Sequence, residues 1–281
     1  MSNRSLDPLS PQYYSLTCLI ALCAVLFAPG CGSSVELTSE WTGREVAVDG
    51  VRNDWTDLPA RLAGPDVRIG MKNDKDNLYV CLTTQSRSTQ FQMLALGTTV
   101  WFDAEGKKNK SFGIQFPVMG LLQGRRPVVP GNPEEAHRFM EALVAAAQSQ
   151  FEIIGPEAGE RKKIADRQAK GIDVHLGYED GTLTYELKVP LQRTADVPYG
   201  AALDPSKPFM IGFETGDFAE MMRLQASAPG GARGAAGAGG RGRGGRGGSG
   251  GGAALPGGDT PEPLKHWLTI HLAGGSTGTG K

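Results

Sequence analysis

TTVWFDAEGKKNKSFGIQFPV, residues 98–118, decides the fold of this chain, because it holds two apolar runs separated by a polar loop. Successive side chains of a β-strand point to opposite faces. In the first run, Val100 and Phe102 therefore share one face, and Trp101 and Asp103 share the other. Both faces carry large or buried-type side chains, which predicts a strand that is covered on both sides.

The second run, FGIQF at residues 112–116, places three large apolar side chains on one face and ends at Pro117. Proline ends a strand because it has no backbone N–H to donate. The loop AEGKKNK, residues 104–110, contains glycine and three lysines, which is typical of an exposed turn rather than a site. The stretch predicts a central β-hairpin.

Further alternating apolar runs predict strands at 45–51, 67–71, 78–82, 172–176, 183–189, 209–213 and 266–272. One helix is predicted after the hairpin, with Asn132 as its cap, Pro133 at its first position and an apolar stripe that runs to Phe151. Gly155-Pro156 is predicted to end it. Short strands with turn signals and a single helix predict a mainly β fold, an antiparallel β-sandwich with one inserted helix and a disordered Gly-rich loop.

Composition supports one folded domain within the 281 residues. The 40 glycines are far above ordinary usage, and much of the excess lies in a Gly/Ala/Arg run, which cannot form a core and is predicted to be disordered over 226–261. Because an alternating run follows it, this segment is predicted to be an insertion, and the domain to comprise residues 44–225 plus 262–273. The formal net charge of −1 argues against binding to nucleic acid through bulk charge.

The N-terminus has the features of a targeting segment, residues 1–31, with a short apolar run at 16–28. LFAPGC, residues 26–31, resembles the end of a bacterial lipoprotein signal, which implies that Cys31 is lipidated. Ordinary secretion and an uncleaved anchor remain open, because Ala28 and Pro29 depart from the usual pattern. Residues 32–43 are predicted to be a polar tether. Lipidation would place the protein in the bacterial cell envelope, at the outer membrane or the periplasmic face.

Cysteine usage agrees with export. Cys18 and Cys23 would leave with the signal, so only Cys81 would remain as a thiol. Cys81 lies in an apolar run and is predicted to be a small buried residue. Asp74 and Asp76 lack the spacing of a calcium loop, so no metal site is predicted.

Four segments together resemble the sandwich domains related to family-nine carbohydrate-binding modules and the DOMON group. They are VDGVRNDW at 48–55, DNLYVCL at 76–82, the hairpin at 99–117 and YELKVPL at 185–191. The resemblance covers roughly residues 44–120 and 170–215, with Trp267 on a final strand. It implies a domain that binds sugars or, in some DOMON relatives, haem.

In the carbohydrate-binding relatives, aromatic side chains hold a sugar ring and polar groups bind its hydroxyls. The resemblance therefore makes ligand-binding candidates of Trp55, Trp101, Tyr185, Glu186 and Trp267. For haem, the axial ligands would come from His175, His271 and the methionines. No spacing selects a pair among them, so no cofactor is predicted.

An enzyme would require a different constellation. Asp103, Glu186 and Glu214 lie in strand contexts from which two carboxylates could converge, as a glycosidase needs. No serine, cysteine or histidine arrangement accompanies them, so no catalytic residue is predicted. RGRGGRGG, residues 241–248, resembles Arg-Gly boxes, but it lacks interleaved aromatic residues, and a spacer is the better interpretation.

The sequence thus predicts an envelope lipoprotein that is not an enzyme and whose β-sandwich binds a ligand, with glycan as the ligand class that the resemblance implies. The alternative is a structural or assembly protein of the envelope that binds another protein. A haem-binding DOMON-like domain is a further alternative.

Overall fold

The computed structural model describes residues 35–118, 130–223 and 262–274, apart from 63, 65, 166, 167, 170, 219 and 222. Within these residues the chain forms fourteen strands and two α-helices. The strands are β1 (Val35–Thr38), β2 (Glu40–Trp41), β3 (Ala60–Leu62), β4 (Val67–Asn73), β5 (Asn77–Thr84), β6 (Thr98–Asp103), β7 (Phe112–Phe116), β8 (Phe151–Ile154), β9 (Arg161–Ile164), β10 (Gln168–Ala169), β11 (Ile172–Glu179), β12 (Thr182–Pro190), β13 (Phe209–Thr215) and β14 (Lys265–His271). The helices are α1 (Arg87–Leu96) and α2 (Pro133–Ala147).

Two sheets form the sandwich. Sheet A has the order β1-β14-β13-β6-β7-β8-β9, and sheet B has the order β10-β11-β12-β5-β4-β2, with β3 also paired to β4. The predicted β-sandwich is confirmed. Its sheets are mixed rather than wholly antiparallel, because β1 runs parallel to β14 and β2 runs parallel to β4. A short N-terminal segment joins both sheets at their edges, and long-range pairing of this kind leaves no local sequence signal.

The hairpin of β6 and β7 is central, as predicted, since β6 is the fourth of seven strands in sheet A. Val100 pairs with Ile114 and Phe102 pairs with Phe112. The rings of Phe102 and Phe112 lie 5.9 Å apart, centroid to centroid, and Phe102 is only 1% exposed. These side chains face sheet B, where they join one continuous core built from both sheets.

Among the described residues, the structure has the two α-helices α1 and α2 where the sequence analysis predicts one. Helix α2 begins as predicted, with Asn132 Oδ1 accepting a hydrogen bond from the backbone N–H of Glu134 at 2.9 Å. It ends at Ala147, because the chain re-enters sheet A as β8 from Phe151. Phe151 is therefore a buried strand residue, and its assignment to the helix stripe is wrong.

Helix α1 is absent from the sequence prediction because its polar residues hide its apolar pattern. Eight of its ten residues are buried, including Gln90 and Gln92. The Gln90 side chain is satisfied inside the protein by donating to the carbonyls of Thr84 at 2.9 Å and Gly181 at 2.7 Å. A helix covered on most sides has no polar face, so it lacks the periodicity by which a surface helix is recognised.

The predicted tether at 32–43 is partly structured, because β1 and β2 lie within it. Between them, Ser39 carries the chain from sheet A to sheet B. Its hydroxyl lies 2.5 Å from Asn73 Oδ1, and the backbone N–H of Ala273 donates to both side chains, at 2.9 Å to Ser39 Oγ and 3.1 Å to Asn73 Oδ1. Leu37 is buried in the core. Only residues 32–34 then separate Cys31 from the first strand.

Residues 45–51 form no strand, contrary to the sequence prediction. The segment that contains them contributes to a second, smaller cluster with side chains from β5, namely Val46, Trp55, Leu58, Tyr79 and Cys81. Cys81 is buried and free, as predicted, and burial raises the pKa of its thiol. The segment is irregular because it covers a sheet face instead of extending a sheet edge.

β14 rejoins sheet A as predicted, paired between β13 and β1. At its entry the backbone N–H of Thr215 donates to the carbonyl of Leu264 at 3.0 Å, and the N–H of Leu264 donates to Thr215 Oγ1 at 2.9 Å. The signal predicted at 1–31 and the insertion predicted at 226–261 lie outside the described residues. Neither helix in the described ranges is long and apolar enough to cross a bilayer.

Candidate functional site on the outer face of sheet A

Two of the predicted ligand-binding tryptophans lie side by side on the outer face of sheet A. Gly212 of β13 pairs with Trp267 of β14 on one side and with Trp101 of β6 on the other. Residues paired across neighbouring strands point to the same face. The three positions therefore form one row, here called the aromatic row, with the glycine between the two indoles. Two strand spacings separate the tryptophan backbones, roughly 10 Å.

Glycine allows each indole to lie against the sheet. A Cβ added at Gly212 would lie 2.8 Å from two indole carbons of Trp267. A Cβ added at Gly113, which pairs with Trp101, would lie 2.6 Å from the indole of Trp101. Both distances are well below carbon–carbon contact, so any larger residue would push the ring off the backbone. The glycines fix the height of both rings above the sheet.

Trp101 is held in place by two charged side chains. Its Nε1 donates to Glu214 Oε2 at 3.0 Å, and the same oxygen accepts from Lys110 Nζ at 2.5 Å. The ammonium of Lys110 also lies 5.8 Å from the centroid of the indole, a cation–π distance. Trp101 is consequently buried, while Trp267 is partly exposed.

Polar side chains continue the outer face beyond Gly113. Arg161 of β9 donates through Nη2 to Gln115 Oε1 at 3.0 Å and through Nε to Glu152 Oε2 at 3.0 Å. Gln115 and Glu152 are paired positions on β7 and β8, so the guanidinium spans two strands. The face thus carries aromatic surface at one end and a fixed set of donors and acceptors at the other.

The loop that carries Lys110 is organised by Asp103. This carboxylate is buried and accepts hydrogen bonds from the backbone N–H groups of Glu105 at 3.0 Å, Lys107 at 2.6 Å and Asn109 at 3.0 Å. The sequence analysis treats 104–110 as an exposed turn without a site. The turn is exposed, yet its last residue, Lys110, contacts the aromatic row.

A cleft of about 590 Å³ adjoins the same loop. Its walls come from the β6–β7 loop, the β8–β9 loop and the segment that follows β12. Arg193 lines it with its guanidinium carbon 5.3 Å from the centroid of the Phe112 ring, and its Nε donates to the carbonyl of Gly200 at 2.9 Å. Lys110 lines the cleft too, so the cleft and the aromatic row share one side chain.

Trp55 and Glu186 come together at a different place, on the outer face of sheet B. Glu186 is buried and accepts from Trp55 Nε1 at 2.6 Å, from the Gly50 N–H at 2.6 Å and from the Asp49 N–H at 3.0 Å. Burial raises the pKa of Glu186 to about 7, against the opposing effect of these three donors. The carboxylate therefore holds the irregular segment to the sheet, and neither side chain is open to a ligand in this arrangement.

The remaining candidates lie apart from one another. Tyr185 is fully buried between the two sheets, where its ring contacts Phe116, so it cannot reach a ligand in solvent. His175 lies between inward-facing Val174 and Leu176 of sheet B and points to the outer face of that sheet, whereas His271 belongs to sheet A with its side chain 45% exposed. The two histidines are therefore on opposite sides of the sandwich and do not form an axial pair for haem.

The three carboxylates weighed for hydrolysis do not converge. Glu186 belongs to sheet B, and Asp103 is saturated by backbone donors. Asp103 pairs with Met210, four residues from Glu214 along β13, which separates the two by roughly 13 Å. A glycosidase pair lies within about 5 to 9.5 Å. Among the described residues, no group of three or more His, Cys, Asp or Glu side chains is placed to hold a metal ion.

Sequence reasoning did not identify Lys110, Gly212 or Arg193 as site residues, and it considered Glu214 only for hydrolysis. Their roles depend on which strands are neighbours and in which register. A glycine inside an otherwise bulky strand, such as Gly212 in FMIGFET, was the available signal, because such a glycine often marks a close approach.

No protein-family model matches the chain, and no curated protein matches it. Among solved structures, it is similar to a family 9 carbohydrate-binding module from Caldicellulosiruptor kristjanssonii in complex with glucose, at 10% identity and a TM-score of 0.30, over 64% of this chain and 77% of that chain. The cellotriose complex of a family 9 module from the same organism gives 8% identity and a TM-score of 0.29, over 65% and 76%. Similarity at this level carries no inference about the ligand of this chain.

Proposed function

We propose that this protein is a non-catalytic carbohydrate-binding protein and that the aromatic row on sheet A is its site. The carrying observation is the arrangement of Trp267, Gly212 and Trp101 in one register row beside a fixed carboxylate and ammonium. Sugar rings present an apolar C–H face and a rim of hydroxyls. Such a ligand is bound by a flat aromatic surface flanked by donors and acceptors.

Each side chain of the row has a role in this proposal. Trp267 is the stacking surface, because it is the partly exposed indole. Glu214 accepts and Lys110 donates hydrogen bonds to hydroxyls, and both are already oriented by their contact at 2.5 Å. Lys110 has a side chain that is 48% exposed, so it can move from the Trp101 ring and open that second surface to a longer oligosaccharide.

Affinity electrophoresis of the full chain against soluble β-glucan, xylan, mannan and polygalacturonate tests the proposal. We expect at least one polysaccharide to retard the protein, and Trp267→Ala to weaken that binding about tenfold or more, as loss of an aromatic anchor does. Trp41→Ala is the matched control, because Trp41 is 38% exposed but lies on β2 of sheet B. Equal loss in both variants, or no retardation by any polysaccharide, would refute the proposed site.

The proposal places the protein in the bacterial envelope, anchored through Cys31. Support comes from the sequence LFAPGC at 26–31. Cells fed a fatty-acid analogue should label the protein, and Cys31→Ser should abolish the label while Cys81→Ser leaves it. Equal labelling of the wild type and Cys31→Ser would contradict the anchor without bearing on sugar binding.

At the β9 edge of sheet A, the alternative of an envelope protein that binds a partner by strand addition has less support. β9, at one edge of sheet A, carries Arg161, Lys162 and Lys163 in sequence. Consecutive charged residues on an edge strand discourage pairing with another chain.

A further inference from the structure

We propose that the cleft beside the aromatic row binds the carboxylate of an acidic sugar residue, so that the ligand is a uronate-containing glycan; this rests on the proposed sugar site. The cleft and the row share Lys110, so one oligosaccharide can occupy both. The volume of about 590 Å³ falls within the range of small-molecule sites, roughly 300 to 1,000 Å³.

Arg193 is the residue that selects a carboxylate. Its position is fixed on two sides, by the Phe112 ring at 5.3 Å and by the Gly200 carbonyl at 2.9 Å from Nε. Within the described ranges its two terminal nitrogens make no hydrogen bond, which leaves one edge of the guanidinium open to the cleft. A planar pair of N–H donors matches the two oxygens of a carboxylate, and a prefixed guanidinium loses little freedom on binding.

Two of the three acidic side chains that line the cleft are already engaged by other groups of the protein. Both oxygens of Asp103 accept backbone N–H groups, and Glu105 is paired with Lys107 at 2.9 Å. Glu157 is the acidic group of the lining whose carboxylate has no partner in the part of the chain that the structure describes. An anionic ligand is therefore bound by directed contacts to Arg193, with Glu157 as the lining carboxylate that has no partner of its own, and not by a strongly positive field.

The charge of Glu157 determines in which direction the affinity for the ligand changes when this residue is replaced. If the ligand in the cleft carries a negative charge, Glu157 repels it, and Glu157→Gln raises the affinity. If the cleft takes a cationic group, the same change lowers the affinity. Asn109 and Ser111, which also line the cleft, supply amide and hydroxyl groups for the sugar hydroxyls.

Titration calorimetry of the full chain with trigalacturonic acid, its methyl ester and a neutral β-glucan trisaccharide tests the inference. We expect the acid to bind about tenfold more tightly than its ester, the difference expected for one charge-assisted contact. Arg193→Gln should remove that difference and leave the affinity for the ester unchanged. Arg193→Lys should restore it only in part, since an ammonium cannot bind both oxygens as a planar fork. Lys75→Gln, in the exposed turn between β4 and β5, is the control, and thermal melts check that each variant is folded.

The outcomes separate this inference from the proposed function. Equal affinity for acid and ester, with no effect of Arg193→Gln, overturns the carboxylate site, although Trp267→Ala would still weaken the binding of all three probes if the aromatic row binds sugar. Weaker binding of the acid by Glu157→Gln also overturns it. Failure of all three probes to bind would also overturn the uronate site, and retardation of the protein by xylan or mannan would then decide whether the proposed function stands.

Discussion

The contact between Gly212 and Trp267 allows the aromatic row to be tested without removing either tryptophan. In Gly212→Ala, the new methyl carbon would lie 2.8 Å from two indole carbons. Non-bonded carbons sit roughly 3.5 to 4.0 Å apart, so the indole has to move by roughly 1 Å. The backbone tolerates alanine, because Gly212 has no positive φ.

Trp267 is partly exposed, so its ring can swing toward solvent instead of straining the sheet. Overpacking costs about 1 to 3 kcal/mol when a side chain cannot move, and replacing glycine recovers about 0.4 to 1 kcal/mol from the unfolded chain. We therefore expect the free energy of unfolding to change by less than about 2 kcal/mol. Binding should fall about tenfold, because a tilted ring no longer offers a surface parallel to the sheet.

Tryptophan fluorescence and denaturant unfolding provide the assay. The emission of Gly212→Ala should shift to longer wavelength as Trp267 becomes more exposed, and the shift should vanish when Gly212→Ala is made in a Trp267→Phe background. Gly43→Ala is the control, because a methyl group at Gly43 would meet no atom within 4 Å. The reasoning would be refuted by a shift of equal size in the Trp267→Phe background, or by unchanged emission and affinity.

Three further predictions concern stability. Phe102→Ala should lower the free energy of unfolding by about 3 to 5 kcal/mol through the cavity it leaves, while Lys107→Ala in the adjoining loop should stay within about 0.5 kcal/mol; urea melts that gave similar losses would show that the hairpin is not the core element. For Glu186, burial raises the pKa from 4.5 to about 7, so the folded state takes up a proton in that interval and the free energy of unfolding should fall as pH rises from 4.5 to 7. Unfolding measured across this range should lose that slope in Glu186→Gln, and a slope unchanged in this variant would assign it to another group. Asn73→Ala should lower the free energy of unfolding by about 1 to 3 kcal/mol, because the Ser39 hydroxyl and the Ala273 N–H lose the oxygen to which both donate. A thermal melt that matched the wild type would show that these hydrogen bonds do not stabilise the passage of the chain from sheet A to sheet B at Ser39.

The parts of the fold that can be predicted from the sequence are the strands in which apolar and polar side chains alternate along the chain. Val100 and Phe102 in β6, and Leu183, Tyr185, Leu187 and Val189 in β12, point inward while the residues between them point outward. This can be inferred without knowing any distant residue. The insertion of 226–261 before a last strand was also inferred locally, and β14 lies in sheet A as expected.

The parts that sequence did not predict depend on distant partners. Leu37 lies in a strand only because β14, more than two hundred residues later, pairs with it. Helix α1 was not predicted because Gln90 is buried, and its side chain donates both to the carbonyl of Thr84 nearby and to that of Gly181 far along the chain. The periodicity of apolar residues therefore reveals neither strand β1 nor helix α1.

The candidate site divides in the same way. Trp101 and Trp267 were identifiable as aromatic candidates, but only the register of β6, β13 and β14 shows that Gly212 lies between them. Trp55 and Glu186 were identified too, and their mutual hydrogen bond across 131 residues gives them a structural role instead. The type of a residue can suggest that it contacts a ligand, but only its burial in the structure shows whether a ligand can reach it.

The mutual hydrogen bonds of Thr215 and Leu264 have a practical consequence. They hold β13 and β14 together at the end of sheet A, on either side of the connection between 223 and 262, and the entropic cost of closing a flexible loop rises only with the logarithm of its length. A reporter protein or a small fluorescent tag can therefore be spliced into that connection without unpairing β13 from β14. The connection that would carry such a reporter follows β13, the strand that holds Gly212 of the aromatic row. The connection is therefore a suitable insertion site for a reporter that converts ligand binding at the aromatic row into an optical signal.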